Sequence, residues 1–504
     1  VQIDEEAKAM NTETNDRRRW IALYVLCAGV LMIVLDITIV NVALPTIQDD
    51  LGFSQAGLAW VVNAYLIAFG GLLLLAGRFG DILGKKRVFM AGLVLFTLAS
   101  ALCGAAQSQG LLVAARFVQG IGGAMTSAVV LGMIVTMFPE PRDQAKAIGV
   151  YAFVASGGGT VGLLLGGVLT ESINWHWIFF VNVPIAIVTA VLARRLVEDD
   201  KGIGFGDGAD VSGALLITSA LMLSVYTIVK PAADLGWGSG RTLAFAAVSL
   251  ALLAGFVVRE MRARNPLIPL RIFRSRNLTG ANLVQMLAVP GMFGMFFLGS
   301  LYLERVLGYD ALQIGLAFVP VTLVMGTLSV RYTEPLITRF GARNTMLPGL
   351  VLLAAGLLLF TQASVDASYA RNVLPSMLLF GAGAGLAFPA LMTVAMSGVS
   401  MEDSGLASGL VNTSAQVGGA LGLAVLATLS ATHSDNLIAN GESTASALTS
   451  GYHLAFVVGA ALLGVAIVLV ATVIEPVKAS AHGAAGDPEP DREDVEEGAY
   501  PEAA

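Results

Sequence analysis

Two charged residues stand where the surrounding sequence makes charge costly. Asp36 lies inside an apolar run near residues 20–44, and Arg116 lies inside another near residues 110–137. An ionised carboxylate at the centre of a bilayer costs about 2.5–3.5 kcal/mol on insertion scales, so an acid in such a run needs a partner or a task. At a rise of about 1.5 Å per residue, Asp36 falls roughly 13 Å from Pro45, and Arg116 falls roughly 9 Å from Gly110. These depths, measured from the outer ends of the two runs, agree within about one helical turn. Two readings of the acid stay open: a structural ion pair, or a carboxylate whose protonation depends on which side of the membrane the site faces. In the second reading desolvation would favour the neutral acid and a nearby guanidinium the ionised one. For Arg116, coupling and positioning of a partner are equally supported.

Other residues could serve such a site. The stretch Gly77-Arg78-Phe79-Gly80-Asp81-Ile82-Leu83-Gly84-Lys85-Lys86-Arg87 joins the second and third apolar runs. Its glycines permit a tight turn, Asp81 can cap or pair at a helix start, and Lys85, Lys86 and Arg87 suit an anionic leaflet. A topology signal alone explains the three positive charges but leaves the acid between glycines without a reason. In the fifth run Gly158, Gly162 and Gly166 recur every four residues, flanked by Gly157, Gly159 and Gly167. That bare helical face suits tight packing, or a smooth line along which helices rock. Gln119, near Arg116, and Met292, Phe293 and Phe296 in the ninth run are expected to line a substrate cavity, because methionine repacks around varied apolar ligands. Core or lipid-facing packing is the stronger of the two readings of Met292, Phe293 and Phe296. Glu304 beside Arg305 reads as a solvated pair at the outer rim, and Trp175, His176 and Trp177 read as an interfacial belt.

The elements that must hold these residues follow from composition. The chain has 504 residues, 56% hydrophobic and 13% charged, about half the charge of a typical soluble domain. Apolar runs of about 18 residues or more recur from end to end, and backbone groups in lipid must be satisfied within each span, so the spans are expected to be helical. The first run is too long, and too polar at Asp36, for a cleaved leader; it reads as a retained span. Cys27 and Cys103 both fall in apolar runs and suggest packing rather than a disulfide or a metal centre. The net charge of −7 comes largely from the stretch Glu475–Glu502 and says little about a substrate. No Gly-x-x-x-x-Gly-Lys-Ser/Thr loop occurs, so a gradient rather than bound nucleotide is the expected energy source.

Counting runs gives six in residues 20–198, two in 199–276 and six in 277–474. Lysine and arginine test that segmentation. With residues 1–19 as a cytoplasmic tail, about 24 basic residues fall on inner segments and about 4 (Lys230, Arg241, Arg305 and Arg371) on outer ones. The expected fold is all-α and polytopic, with fourteen transmembrane helices and both ends cytoplasmic. A faint echo relates the halves, since Arg339-Phe340-Gly341-Ala342-Arg343 follows the tenth run as Gly77–Arg87 follows the second. Setting the seventh and eighth runs aside as an insert with a basic cytoplasmic linker leaves two six-helix bundles, an architecture that places substrate near the midplane. Residues 475–504, rich in Ala, Gly, Pro, Asp and Glu, are expected to be a disordered acidic tail.

Several of these motifs, in order, resemble those of the major facilitator superfamily, and specifically its fourteen-span drug:proton antiporter family, over nearly all of residues 20–474. Leu35-Asp36-Ile37-Thr38-Ile39-Val40-Asn41-Val42-Ala43-Leu44-Pro45 is similar to that family's first-span motif, and Gly77–Arg87 to its gating loop. The stretch from Leu112 to Ala124, with Arg116, Gln119, Gly120 and Gly122, is similar to its fourth-span motif. Trp175 to Pro184 and Gly405 to Thr413 resemble sequences typical of the fourteen-span branch, with His176 where an arginine is usual. The fifth-span motif departs from the pattern: Leu163 follows Gly162 where proline is usual, which removes a kink determinant. The resemblance implies the major facilitator fold and proton-coupled efflux of small amphipathic compounds by alternating access, with proton coupling at Asp36 and Arg116. It also implies a gating role for Gly77, Asp81, Gly84, Lys85, Lys86 and Arg87, and antiporter packing at Gly158, Gly162, Gly166 and Gly167. A bacterial inner-membrane monomer, without enzymatic activity, cofactor, metal or nucleic-acid partner, is expected. Export of one endogenous metabolite or lipid, and a transport-inactive sensor, are the alternatives.

Overall fold

The computed structural model describes residues 2–200, 202, 204, 210–397, 399 and 403–476, with side chains from Arg17 onward apart from a few in the fifth and thirteenth helices. The acidic tail expected at 475–504 thus lies almost wholly outside the described residues. Among the described residues fourteen long helices follow in order: α1 Gln2–Leu51, α2 Gln55–Leu83, α3 Lys85–Gly104, α4 Gln109–Met137, α5 Pro141–Ser172 and α6 Trp177–Leu196. They continue as α7 Val211–Leu235, α8 Gly240–Arg262, α9 Arg276–Arg305, α10 Ala311–Phe340, α11 Ala342–Phe360, α12 Tyr369–Met396, α13 Ser404–Ala439 and α14 Thr444–Thr472. Thirteen are long and apolar enough, over their described residues, to cross a membrane. The other, α5, runs 32 residues without a break at Leu163. The all-α, fourteen-helix reading stands, and no strand occurs among the described residues.

Helix starts follow local chemistry. Ser54, Ser108, Ser239, Ser275 and Ser443 each accept a backbone N–H of the first turn, and Asp310 forms a reciprocal capping box with Gln313. The echo between halves has a structural counterpart. Gly84 ends α2 at φ +99° and Gly341 ends α10 at φ +86°, and each passes straight into the next helix. Only a residue without Cβ takes up that conformation without strain.

Helices α1–α6 pack among themselves, as do α9–α14, and the two groups meet along α2–α13, α5–α10 and α1–α9. Small residues set these lines of contact. A Cβ at Gly70 would sit 2.6 Å from the Gln416 Cβ, and one at Gly315 would sit 2.6 Å from the Leu163 carbonyl oxygen. Helices α7 and α8 pair with each other and lean on both groups, through Thr218 against Gly71 of α2 and through the Thr428 hydroxyl donating to the Ile228 carbonyl at 3.4 Å. The outer side of α8 exposes Leu243, Val248, Leu250, Val257 and Met261, an apolar face of the kind lipid covers.

Candidate functional site: a buried carboxylate and a vestibule

Asp36 is fully buried, and three side chains converge on its carboxylate. Arg116 of α4 donates from Nη1 to Oδ2 at 2.5 Å. Gln119, one turn further along α4, donates from Nε2 to Oδ1 at 2.7 Å, and Asn182 of α6 donates from Nδ2 to the same oxygen at 3.0 Å. The guanidinium is itself pinned: Nε donates to the Val61 carbonyl at 2.9 Å, and Nη1 also reaches Gln119 Oε1 at 2.7 Å. Its Cζ lies 4.5 Å from the centroid of the Tyr65 ring and 5.7 Å from that of Phe179, a cation–π contact on top of the ion pair. Gln119 Nε2 also donates to Ser100 Oγ at 2.8 Å, while its Oε1 takes a weak contact from Cys103 Sγ at 3.6 Å.

The sequence builds this cluster by removing side chains around it. A Cβ on Gly120 would lie 2.4 Å from the Tyr65 carbonyl oxygen, and one on Gly122 would lie 2.5 Å from the Phe96 backbone nitrogen. Bare positions on α4 thus let α2 and α3 close in around Arg116. On the other flank Gly158, Gly162 and Gly166 of α5 meet Val34, Thr38 and Ile39 of α1, so this stripe packs on the face of α1 turned away from Asp36. Gly167 differs: it touches Ala311 of α10, in the other half.

The similarity in depth between Asp36 and Arg116 therefore corresponds to a direct ion pair. Gln119, expected to line a substrate cavity, is instead fully buried within the carboxylate cluster. Phe293 packs on Gly419 of α13, and Phe296 has its ring 5.1 Å from that of Phe318. With Met292 they join the apolar core.

Residues 26–423 match the family model described as Major Facilitator Superfamily. The chain belongs to the Major Facilitator Superfamily. It is similar to the puromycin resistance protein pur8 of Streptomyces alboniger, with 38% identity over 456 residues, 89% of this chain and 90% of that one. It is likewise similar to the cephamycin export protein CmcT of Amycolatopsis lactamdurans, with 39% identity over 410 residues, 81% and 84% of the two chains. Among solved structures, a bacterial homolog of the human lysosomal transporter Spinster, inward-facing and unoccupied, superposes with a TM-score of 0.64 at 17% identity. That superposition covers 90% of this chain and 96% of the other, and it speaks to fold alone.

In this major facilitator chain a cavity of about 590 Å³ opens at the end carrying the basic loops. Its walls include Gly77, Arg78, Asp81 and Lys85, Gly132 of α4, Asn412 of α13 and the segment after α8 at residues 265–269. Asp81 lies in the last turn of α2, exposed, and caps no helix. That task falls to Asp200, beyond α6, whose carboxylate accepts the Lys85 and Lys86 backbone N–H groups at 2.6 and 3.1 Å. Beside it Asp199 pairs with Lys86 at 2.9 Å, and that contact holds its carboxyl below the usual range. The segment after α8 is tied down by Glu260, which accepts the Ile268 N–H at 2.9 Å, and by a two-pronged Arg271–Asp403 pair at 2.8 Å. At the start of α7, burial acts to raise the Asp210 carboxyl. The Gly213 N–H, the Ser212 hydroxyl and Arg259 outweigh it and leave the group below its ordinary value.

At the opposite end an ion pair ties the two halves together. Arg305 pairs with Asp49 of α1 and donates to the Pro45 carbonyl at 3.4 Å, joining the two halves. Its partner is thus across the interface rather than the neighbouring Glu304. Trp175, read as part of a belt, is buried and donates to Asp50 at 2.9 Å, whereas Trp177 is exposed. Sequence reading passed over Asn182, Asp199 and Asp200, and also over buried amides at Asn63, Gln285 and Gln416 whose oxygens have no protein partner. The available signal was the same for the amides as for Asp36: a polar side chain inside an apolar run.

Proposed function

We propose that this chain exports small amphipathic organic compounds through a bacterial inner membrane in exchange for protons, by alternating access. The observation that carries the reading is Asp36, a fully buried carboxylate joined to Arg116 within a membrane-spanning bundle. A carboxyl group so placed can exchange a proton only when the surrounding helices rearrange, which ties its charge to the direction the cavity faces. Similarity to puromycin, cephamycin, tetracenomycin and lincomycin resistance or export proteins supports efflux as the direction of transport. The distribution of basic residues supports cytoplasmic placement of the vestibule end and of both termini. On that orientation the vestibule opens inward while Arg305–Asp49 ties the halves together outside.

In the cycle, substrate enters the vestibule from the cytoplasm or inner leaflet, and the halves rock about α2–α13 and α5–α10 until the outer end parts. Protonation of Asp36 from outside favours return to the inward state. The working unit is a single chain in lipid, and the proton gradient stands in place of a cofactor; one charge crossing 100 mV supplies about 2.3 kcal/mol. Reconstituted protein with an imposed pH gradient tests this: gradient-driven transport is lost in Asp36→Asn, and its survival undiminished would overturn proton coupling through this residue. A second reading, export of one dedicated compound, draws support from relatives whose names each carry a single antibiotic. Transport of a panel of unrelated dyes would exclude it.

A further inference from the structure

The carboxylate of Asp36 meets three donors and no acceptor, the arrangement an ionised acid requires, since it can only accept. Once protonated it gains an O–H that needs an acceptor in a place closed to solvent. The surroundings hold few. Gln119 Oε1 already accepts from Arg116 Nη1 and takes the Cys103 Sγ contact, and Gln119 Nε2 is shared between Asp36 and Ser100, so that amide is committed at both ends. Asn182 is not. It is fully buried, its Nδ2 donates to Asp36 Oδ1, and its Oδ1 has no hydrogen-bond partner at all.

We propose that Asn182 is a positioning residue that follows the protonation state of Asp36 by turning its amide over. With Asp36 ionised, Nδ2 faces the carboxylate as observed. With a proton on Asp36 Oδ1, a half-turn about the terminal side-chain torsion brings the asparagine oxygen to the place of its nitrogen, where it accepts the new O–H. Asp36 Oδ1 keeps a lone pair for Gln119, and Oδ2 keeps Arg116. Each orientation leaves one end of the asparagine amide unpartnered, so the two differ chiefly in what they present to Asp36. The other titratable groups around the site are Arg116 on α4, Tyr65 on α2 and Cys103 on α3. Neither the tyrosine nor the cysteine is hydrogen-bonded to Asp36. Asn182 follows the turn at Val181 within α6, and the motion needs no backbone change.

The inference rests on proton coupling at Asp36, and difference infrared spectroscopy of the full chain in liposomes, titrated with acid, separates the two. The carbonyl band of the protonated acid is assigned by its absence in Asp36→Asn; absence of any such band in the wild type would remove the coupling reading itself. In Asn182→Leu, of similar size but without polar atoms, the band is expected at the higher wavenumber of a carboxyl lacking an acceptor. The proton concentration at its midpoint is expected to move by less than about threefold, because the amide serves both charge states. A fixed donor serves only the ionised form, and its loss would lower that concentration by about tenfold or more. An unmoved band, or a tenfold midpoint shift, would overturn the proposal while leaving coupling intact. Asn182→Thr, whose hydroxyl can donate or accept, provides the second folded variant and is expected to hold both readings near wild type.

Discussion

Replacing Arg116 with methionine removes the cation while keeping much of the side-chain volume. The structure states what is lost: the pair to Asp36 at 2.5 Å, the bond to the Val61 carbonyl and the bond to Gln119 Oε1. Removing one member of a buried ion pair costs about 3–5 kcal/mol, and each abandoned acceptor adds about 1 kcal/mol or more. Arg116→Met alone is therefore expected to destabilise the protein by roughly 5 kcal/mol. Asp36→Leu leaves the guanidinium uncompensated and costs a similar amount. The double variant leaves no unpaired charge, so it should be more stable than the sum of the singles by about 3 kcal/mol. Equilibrium unfolding of the purified protein in detergent, followed by tryptophan fluorescence, measures all three. Stability of Arg116→Met should also rise on acidification, since protonating Asp36 removes the stranded charge. Additivity of the two singles within about 0.5 kcal/mol would refute the reasoning, for it would mean that the residues do not depend on one another.

Gly120→Ala places a methyl group against the Tyr65 carbonyl and forces α2 from α4; a loss of about 1–3 kcal/mol in the same unfolding assay is expected. Arg305→Ala removes the tie between halves at the end opposite the vestibule, and maleimide labelling of a cysteine introduced at Ser430, on that end of α13, should become faster. Asp200→Ala uncaps α3 at a cost of about 0.5–2 kcal/mol, read by unfolding. The neighbouring Asp199–Lys86 pair behaves differently with pH. The lowered carboxyl keeps the contact above the ordinary value of about 4 and loses it only as pH falls through the lowered one. Asp199→Asn should therefore leave the shape of the transport–pH profile between about pH 5 and 8 unchanged.

Much of the fold was legible because lipid imposes simple rules. Span length, basic-residue alternation and the rise per residue put Asp36 and Arg116 at one level, and the side chains do meet. What could not be read was azimuth. A sequence run gives the depth of a residue but not which neighbouring helix its side chain faces, so Gln119 seemed free to line a cavity when its face of α4 is turned toward Asp36. Asn182 comes to the same carboxylate from 146 residues further along the chain, and no local pattern announces that meeting. Asp81, between glycines, suits a cap or a pair at a helix start, yet α2 continues through it and the cap arrives from Asp200. Arg305 was given its sequence neighbour as partner, whereas the approach of α9 to α1 offers a better one in Asp49.

The origin of the α3 cap bears on how the chain can be rearranged. Asp199 and Asp200 stand at the head of the segment leading into α7 and α8, so residues outside the first bundle fasten the basic loop within it. A splice joining residue 198 directly to residue 277, made to reduce fourteen helices to twelve, would strip the start of α3 of both carboxylates along with the two helices. A shortened chain that keeps that loop in place would have to retain Asp199 and Asp200, or carry replacement acids, at its new junction.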